Sequence, residues 1–319
     1  MENMVGNFGT VAILMSTYNA EPFLKEQINS ILGQTYTNWK LFIRDDGSSD
    51  STSLIIEEFT KKDDRIFFVN KDSIKNVGVI SSFFLLLSCV KADFYMFCDQ
   101  DDVWLKSKVR LSLDRMNQQK KVDVPTLVHT DLKVVDQNLN IINESFMEKE
   151  KLNRKSQLGN LVIQNNVTGC TVMINNSFRN IVIDKGIPNE VIMHDWWMAL
   201  VGNAIGETLF VDVPTMLYRQ HNLNVVGSSS TIKKIMGGYG RKEIINSIIK
   251  ASEQDKAFID LYHENLSKKK LETINFAANM IHYPRVKRMR GLKTNNIFKS
   301  GFIRNLFFKI LLFSLPTIR

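Results

Sequence analysis

Phe97-Cys98-Asp99-Gln100-Asp101-Asp102-Val103-Trp104 decides how this chain is read. The residues leading into it, Asp93-Phe94-Tyr95-Met96-Phe97-Cys98, are apolar and aromatic, the composition of a strand covered on both faces in a parallel sheet. The carboxylates therefore fall at the strand's carboxyl end, the edge at which open α/β sheets bind ligands. Side chains alternate along extended chain, so Asp99 and Asp101 point the same way and offer two hard oxygen donors to a divalent cation carrying phosphates. The competing reading is a solvated acidic turn that caps a helix starting near Trp104.

Upstream the pattern repeats. Val11 to Met15 reads as a buried strand ending in Ser16-Thr17-Tyr18-Asn19, and Pro22 opens a helical spacing through Leu24, Ile28, Ile31 and Leu32. Trp39 to Arg44 reads as a second strand stopping at Asp45-Asp46-Gly47-Ser48, followed by a helix marked by Leu54, Ile55 and Phe59. Arg65 to Val69 makes a third strand, Val77 to Val90 an apolar helix, and Asp93 to Cys98 the fourth strand. Strands alternating with helices at this spacing predict crossover units and a mostly parallel α/β sheet flanked by helices.

Downstream, a helix is expected from Trp104 to about Lys120 and a strand from Leu127 to Val135. Residues 143–160 are polar and poorly periodic, a mobile loop or short helices over the site. Val167 to Ile174 is expected as strand, His194 to Asn203 as helix, and Leu209 to Val213 and Met216 to Arg219 as two extended pieces. From Ile235 to about His282 the pattern is helical.

Composition bounds the rest. With 319 residues, 44% hydrophobic and 23% charged, the chain is an ordinary globular protein with ample core. Cys89, Cys98 and Cys170 have no paired spacing, which argues against a disulfide framework or zinc site and fits a reducing, cytoplasmic setting. The apolar run Val11 to Met15 is too short for a signal peptide, and nothing approaches the roughly 20 apolar residues of a membrane span. The net charge of +8 is concentrated at one end: no acid follows Glu272, whereas nine Lys and Arg residues do.

Four clusters need a joint explanation: Ser16-Thr17-Tyr18-Asn19, Asp45-Asp46-Gly47-Ser48, Asp99-Gln100-Asp101-Asp102 and His194-Asp195-Trp196-Trp197. In a parallel sheet the first three converge on one edge. Asp45-Asp46-Gly47 lacks the glutamate that a calcium loop requires six residues after its glycine, since residue 53 is Ser. A strand-end carboxylate can instead accept the imide N–H of a pyrimidine base.

Taken with Met193-His194-Asp195-Trp196-Trp197 and Tyr218-Arg219-Gln220-His221, these motifs resemble the family 2 glycosyltransferases, inverting enzymes of the GT-A fold, and within them a bacterial rhamnosyltransferase-like subgroup. The likeness covers about residues 9 to 228. It implies a GT-A catalytic domain over 1–228 and a helical, basic C-terminal region over 229–319. It also implies that Thr17, Tyr18, Glu21, Asp45, Asp46, Asn76 and Asp99 bind the nucleotide sugar, with Asp45 reading the base and Asp99 accepting from the ribose. Asp101 and His221 would hold Mn2+ or Mg2+ bridging the two phosphates. Asp195 would be the general base, and Trp196 or Trp197 would supply the apolar wall for an acceptor sugar. Two departures stand out: the role of His194 before the base is unassigned, and Gln220 to Gly227 lacks the glycine expected just after His221.

The implied donor is a dTDP-sugar, specifically dTDP-rhamnose, or another nucleotide sugar such as a UDP-hexose, and the implied acceptor is a lipid-linked saccharide for a cell-surface polysaccharide. For the basic tail three readings remain open: attachment to an anionic membrane surface on the cytoplasmic side, or a helical appendage packed on the catalytic domain or on a second copy of the chain. It shows no nucleic-acid motif. Two rival classes are a nucleotidyltransferase, whose glycine-rich basic loop after the first strand is missing here, and a non-catalytic nucleotide-sugar-binding scaffold.

Overall fold

The computed structural model describes residues 8–119, 123–221 and 240–316. Its strands are β1 (Val11–Thr17), β2 (Trp39–Asp45), β3 (Ile66–Phe68), β4 (Phe94–Cys98), β5 (Val103–Trp104), β6 (Thr126–Val135), β7 (Ile141–Asn143), β8 (Met173–Asn175) and β9 (Glu207–Arg219). They form one mixed sheet in the order β3-β2-β1-β4-β8-β6-β9-β5, with β7 paired to β6. Strands β3, β2, β1 and β4 run parallel. Strand β8 then lies antiparallel between β4 and β6.

Helices α1 (Leu24–Leu32), α2 (Thr52–Thr60) and α3 (Val79–Cys89) are the crossovers of the parallel half. The sequence of β1 shows why both faces are covered. Ala12 and Leu14 join one apolar cluster and Val11, Ile13 and Met15 the other, the two-residue period of a strand between two layers. Register then sets the site: Thr17 stands opposite Asp45, and Met15 opposite Cys98, so the turns after β1, β2 and β4 leave the sheet side by side.

Several elements differ from the sequence reading. Trp104 does not open a helix. It pairs with Met216 of β9, and α4 starts at Lys108 and runs to Met116. The two pieces expected around Pro214 are one strand, β9, which passes the proline by a shift of register against Asp131, because proline has no N–H for the ladder. Of the strand expected over 167–174 only Met173 and Ile174 belong to a strand, β8, which runs on to Asn175; Gly169–Thr171 is a 3-10 turn. Helix α7 (Asn176–Lys185) was not expected; the Asn175 side chain caps it, accepting from the Phe178 amide at 3.0 Å. The polar stretch 143–160 contains two short helices, α5 (Phe146–Lys149) and α6 (Leu158–Leu161).

After α8 (His194–Ala204), the chain continues into α9 (Gly240–Tyr262), α10 (Lys268–Asn279), α11 (Arg285–Thr294) and α12 (Phe302–Ser314). The boundary expected at residue 228, and the Asn222 to Gly227 loop, lie outside the described residues. Ile248 and Phe258 of α9 and Phe308 and Leu312 of α12 share an apolar cluster with Leu14 and Trp197, so these helices close one face of the sheet.

Arg288 fastens this helical layer. It is fully buried and donates to the carbonyls of Met280 (3.0 Å), Ile281 (3.0 Å), Tyr283 (3.0 Å), Leu312 and Leu315 (3.2 Å). A cation at a helix carboxyl end also meets the negative pole of the dipole. Arg288→Met keeps the stem and removes this donor from all five carbonyls, of which Met280 retains the Tyr283 amide at 3.2 Å. It is expected to lower stability by about 3 kcal/mol or more, read as a fall in thermal midpoint.

Candidate active site

Three turns are hydrogen-bonded to one another at the carboxyl edge of the parallel strands. Tyr18 donates its amide to Gln100 Oε1 at 2.6 Å and accepts from Gln100 Nε2 at 3.0 Å, which ties the β1 turn to the acidic turn after β4. Asn19 adopts a left-handed backbone (φ 49°), donates its amide to Ser48 Oγ and accepts from the Ser49 amide, tying the β1 turn to the β2 turn. Glu21 accepts from the Ser51 amide at 3.1 Å, ahead of α2.

Asp45 is fully buried, and its carboxylate accepts from Thr17 Oγ1 (2.9 Å), Ser48 Oγ (2.6 Å) and the Ser48 amide (2.9 Å). Asp46 turns inward to a buried ion pair with Arg44 at 2.6 Å and accepts the amides of Val77 and Gly78. Asp46 therefore acts as a bracket for the loop that carries exposed Asn76, not as a group facing a ligand. Gly47 (φ 88°) lets that loop approach: a side chain there would meet the Asn76 backbone at 3.3 Å.

The acidic turn concentrates charge. Burial, and then the charges of Asp101 and Asp195, push the Asp99 carboxyl up to about 7. Asp102 is fully buried; one oxygen accepts from the Arg219 amide at 3.1 Å, and the other has no hydrogen-bond partner among the described residues. Behind them lies the buried ammonium of Lys108, 3.3 Å from Thr215 Oγ1 and pulled down to about 8 by burial.

Asp101 and His221 meet: Oδ2 lies 2.8 Å from Nε2, and the imidazole stacks on Phe23 at 4.6 Å. Two ligands on adjacent corners of an octahedron about a small divalent cation stand about 3 Å apart, so this pair has a fitting separation. Among the described residues one other grouping could hold an ion, Asp99, Asp102 and Cys170, with ligand atoms within 4.8 Å of one another. Burial holds the Cys170 thiol well above its usual range, so it is protonated and a poor donor to a hard cation. Crowded carboxylates and the orphaned Asp102 oxygen fit a cation at this turn.

Asp195 sits in the first turn of α8. Its oxygens accept from the amides of Trp196 (2.6 Å) and Gly169 (3.0 Å) and from Asn165 Nδ2 (3.0 Å). Burial outweighs these donors and raises its carboxyl to about 6. Gly169 is needed for this contact, because a Cβ there would stand 2.5 Å from His194 Nε2. His194 lies between Phe83 (4.4 Å) and Phe97 (5.4 Å), and burial pushes it down to about 3, so it is a neutral packing residue beside the acid.

The sequence model of glycosyl transferase family 2 matches residues 12–182, more than half of the chain. The chain belongs to this glycosyltransferase family. It is 28% identical over 236 residues to the dTDP-rhamnosyl transferase RfbG of Shigella flexneri, covering 69% of this chain and 75% of the relative. To the UDP-Glc:alpha-D-GlcNAc-diphosphoundecaprenol beta-1,3-glucosyltransferase WfgD of Escherichia coli it is 29% identical over 171 residues, 53% of this chain and 62% of that one. Its fold resembles S. aureus TarS solved with UDP-GlcNAc (TM-score 0.53, 13% identity, 91% and 93% coverage). It also resembles the mannosyltransferase PcManGT of Pyrobaculum calidifontis solved with GDP-Man and Mn2+ (TM-score 0.51, 12% identity, 95% and 84% coverage).

In this glycosyltransferase a second expected site residue, after Asp46, is turned inward. Trp197 is fully buried, 5.3 Å from the Phe258 ring and 6.1 Å from Tyr262, and cannot line an acceptor site. It faces inward because α8 is covered by α9 on that side. Trp196 is half-buried, its indole N–H donating to the Leu161 carbonyl at 2.6 Å.

A further residue organises the site. Arg219, 2% exposed, donates to the Asp101 carbonyl (2.8 Å) and the Gln137 carbonyl (2.6 Å), pairs with Glu26 and lies 4.8 Å over the Phe23 ring. It thus joins the acidic turn, α1 and the end of β9 that carries His221. Lysine keeps the charge but cannot span these acceptors. For a cation held by Asp101 and His221, as proposed below, Arg219→Lys is expected to raise the metal concentration that half-activates transfer by about tenfold with a smaller change in kcat, as measured by Mn2+ titration of initial rates.

Proposed function

We propose that the enzyme is an inverting, metal-dependent transferase that moves L-rhamnose from dTDP-rhamnose onto a lipid-linked saccharide during assembly of a cell-surface polysaccharide. The observation that carries this reading is the shared edge: the Asp101–His221 pair at 2.8 Å lies on the turn whose Asp99 feels the charge of Asp195. An acid near pKa 6 is ionised at neutral pH and is a stronger base than an ordinary carboxylate.

Asp195 accepts the proton of the acceptor hydroxyl as that oxygen bonds to the anomeric carbon. The bond from the anomeric carbon to the diphosphate oxygen breaks on the opposite face, and the nucleoside diphosphate leaves with the electron pair. A divalent cation held by Asp101 and His221 would neutralise the charge growing on that diphosphate. Asp45, which stands opposite Thr17, and exposed Asn76 would flank the nucleotide, with Tyr18 and Glu21 shaping the rim.

Rhamnose as the sugar draws support from the similarity to RfbG, and the lipid-linked acceptor from the similarity to WfgD, whose name specifies a diphosphoundecaprenol acceptor. The reading is tested by offering dTDP-, UDP- and GDP-sugars with Mn2+ or Mg2+ and following release of nucleoside diphosphate with a lipid-diphosphate saccharide as acceptor. Turnover is expected with dTDP-rhamnose; turnover only with a UDP-hexose replaces the donor, and none with any donor supports the scaffold class.

A further inference from the structure

Helix α12 has two apolar faces. Phe308, Leu311 and Leu312 are buried in the core shared with the sheet. On the opposite side Phe302, Ile303, Leu306, Ile310 and Phe313 are exposed, with Phe302 at 82%. At about 100° per residue these five fall within an arc of about 100°, a continuous stripe along the helix. A buried helix needs one such face. The second has no partner among the described residues.

The exposed charged side chains of the adjoining helix are cationic, and Glu150, an acid that contacts α12, is paired with Arg304 of that helix at 3.6 Å. Exposed Arg285, Lys287, Arg290 and Lys293 line neighbouring α11, and the Arg285 guanidinium lies 5.9 Å from the Phe313 ring, where the two helices adjoin. No acid occurs after Glu272. An apolar stripe bordered by cations fits the boundary between anionic headgroups and acyl chains, where rings and branched side chains bury and Lys and Arg stay with phosphate. A second copy fits less well: in a two-fold contact each patch meets itself, bringing two cationic borders together.

The stripe is also coupled to the proposed base. Ser300, two residues ahead of α12, donates its amide to Gln164 Oε1 at 2.7 Å, and the next residue, Asn165, donates to Asp195 at 3.0 Å. Asn160 of α6 further holds the Phe298 carbonyl at 2.9 Å. A surface engaged by α12 is thus linked through one short segment to the end of the site that receives the acceptor.

We infer that the exposed face of α12, with the cations of α11, docks the enzyme on an anionic lipid surface, so that a lipid-linked acceptor reaches Asp195 without leaving the bilayer. The purpose of the docking rests on the lipid-linked acceptor reading above; the docking itself does not. The test is sedimentation of the full chain with phosphatidylcholine vesicles with and without phosphatidylglycerol. Wild type is expected to sediment with the phosphatidylglycerol vesicles and to release in high salt. The variant Phe302→Ser/Ile310→Ser/Phe313→Ser, with its circular dichroism and transfer to a soluble acceptor unchanged, is expected to lose about tenfold or more in partitioning.

Wild type that stays in the supernatant at low salt overturns the inference, as does a folded triple variant that sediments like wild type. A wild-type dimer in velocity sedimentation that the triple variant dissolves also overturns it and makes the stripe a contact between copies. If wild type binds vesicles but no saccharide acceptor is ever glycosylated, the functional reading fails while the docking surface stands.

Discussion

Asp195→Asn is expected to reduce sugar transfer by about 10²- to 10⁴-fold while donor binding stays within about twofold of wild type. All three partners of the Asp195 carboxylate are N–H donors, from Trp196, Gly169 and Asn165. Asparagine keeps the size and one acceptor oxygen but presents its own N–H2 where a donor already stands. It cannot take up a proton. Loss of the buried charge partly offsets the mismatched amide, so the fold should survive and the thermal midpoint should move little.

The pH profile gives a second readout of the same claim. Burial raises this carboxyl from its ordinary value to about 6, and in the proposed role the ionised form would act as the base. As pH falls through about 6 the fraction able to accept the hydroxyl proton falls, so kcat/KM should drop on the acid side with a slope of one and level off above it. Stability runs the other way. A folded-state pKa above the unfolded one favours the protonated folded form, so this residue's contribution declines as pH rises from about 4 to about 6. Isothermal titration with the nucleotide donor, beside initial rates, separates the outcomes: equal loss of binding and transfer would refute the role as base.

How much of this was legible in the sequence depends on how local the signal is. The parallel half reads directly from Val11 to Cys98, because a strand covered on both faces must be apolar throughout and each one stops at a polar turn. The meeting of Asp101 with His221, 120 positions apart in the chain, was reached through a resemblance of motifs; no local pattern carries it. What was missed has a physical reason in each case. Trp104 sits in a helix-like context, yet Met216 and Leu217 of a distant strand claim it and Val103. Trp197 and Trp196 are adjacent in sequence, and only the packing of α9 decides that the first is core.

Arg219 and Asn165 were not singled out because their roles depend on carbonyls and carboxylates from other elements. Packing of the tail on the catalytic domain was one of the readings left open, and the sequence of α12 could not decide it. Its charges are scattered around the wheel, so the helix showed no single polar face, and the structure resolves this into one apolar face that is covered and another that is exposed.

Asp101→Ala is expected to remove the response to divalent cations and to lower transfer at saturating Mn2+ by about a hundredfold or more. Its Oδ2 lies 2.8 Å from His221 Nε2, while its backbone carbonyl is held by Arg219. The substitution deletes the carboxylate without cutting the brace, so loss of the cation can be separated from collapse of the turn. His221→Ala provides the complementary test. An imidazole nitrogen is a softer ligand than a carboxylate, so removing it should weaken Mn2+ more than Mg2+ and narrow the difference between the two metals.

Electron paramagnetic resonance of Mn2+ with nucleoside diphosphate present measures this directly, since it reads metal occupancy whether or not turnover occurs. Both substitutions should leave the spectrum close to that of free Mn2+ with nucleotide. Full transfer in excess EDTA would show that the leaving diphosphate is stabilised without a cation, and Asp101 and His221 would then be a hydrogen-bonded pair that shapes the turn. The arrangement of the turn favours the cation: Asp99, Asp101 and Asp102 crowd three carboxylates into four residues, burial and mutual repulsion hold Asp99 near 7, and one buried Asp102 oxygen has no partner among the described residues. A divalent ion held there by Asp101 and His221 would relieve that repulsion and supply positive charge to the leaving diphosphate.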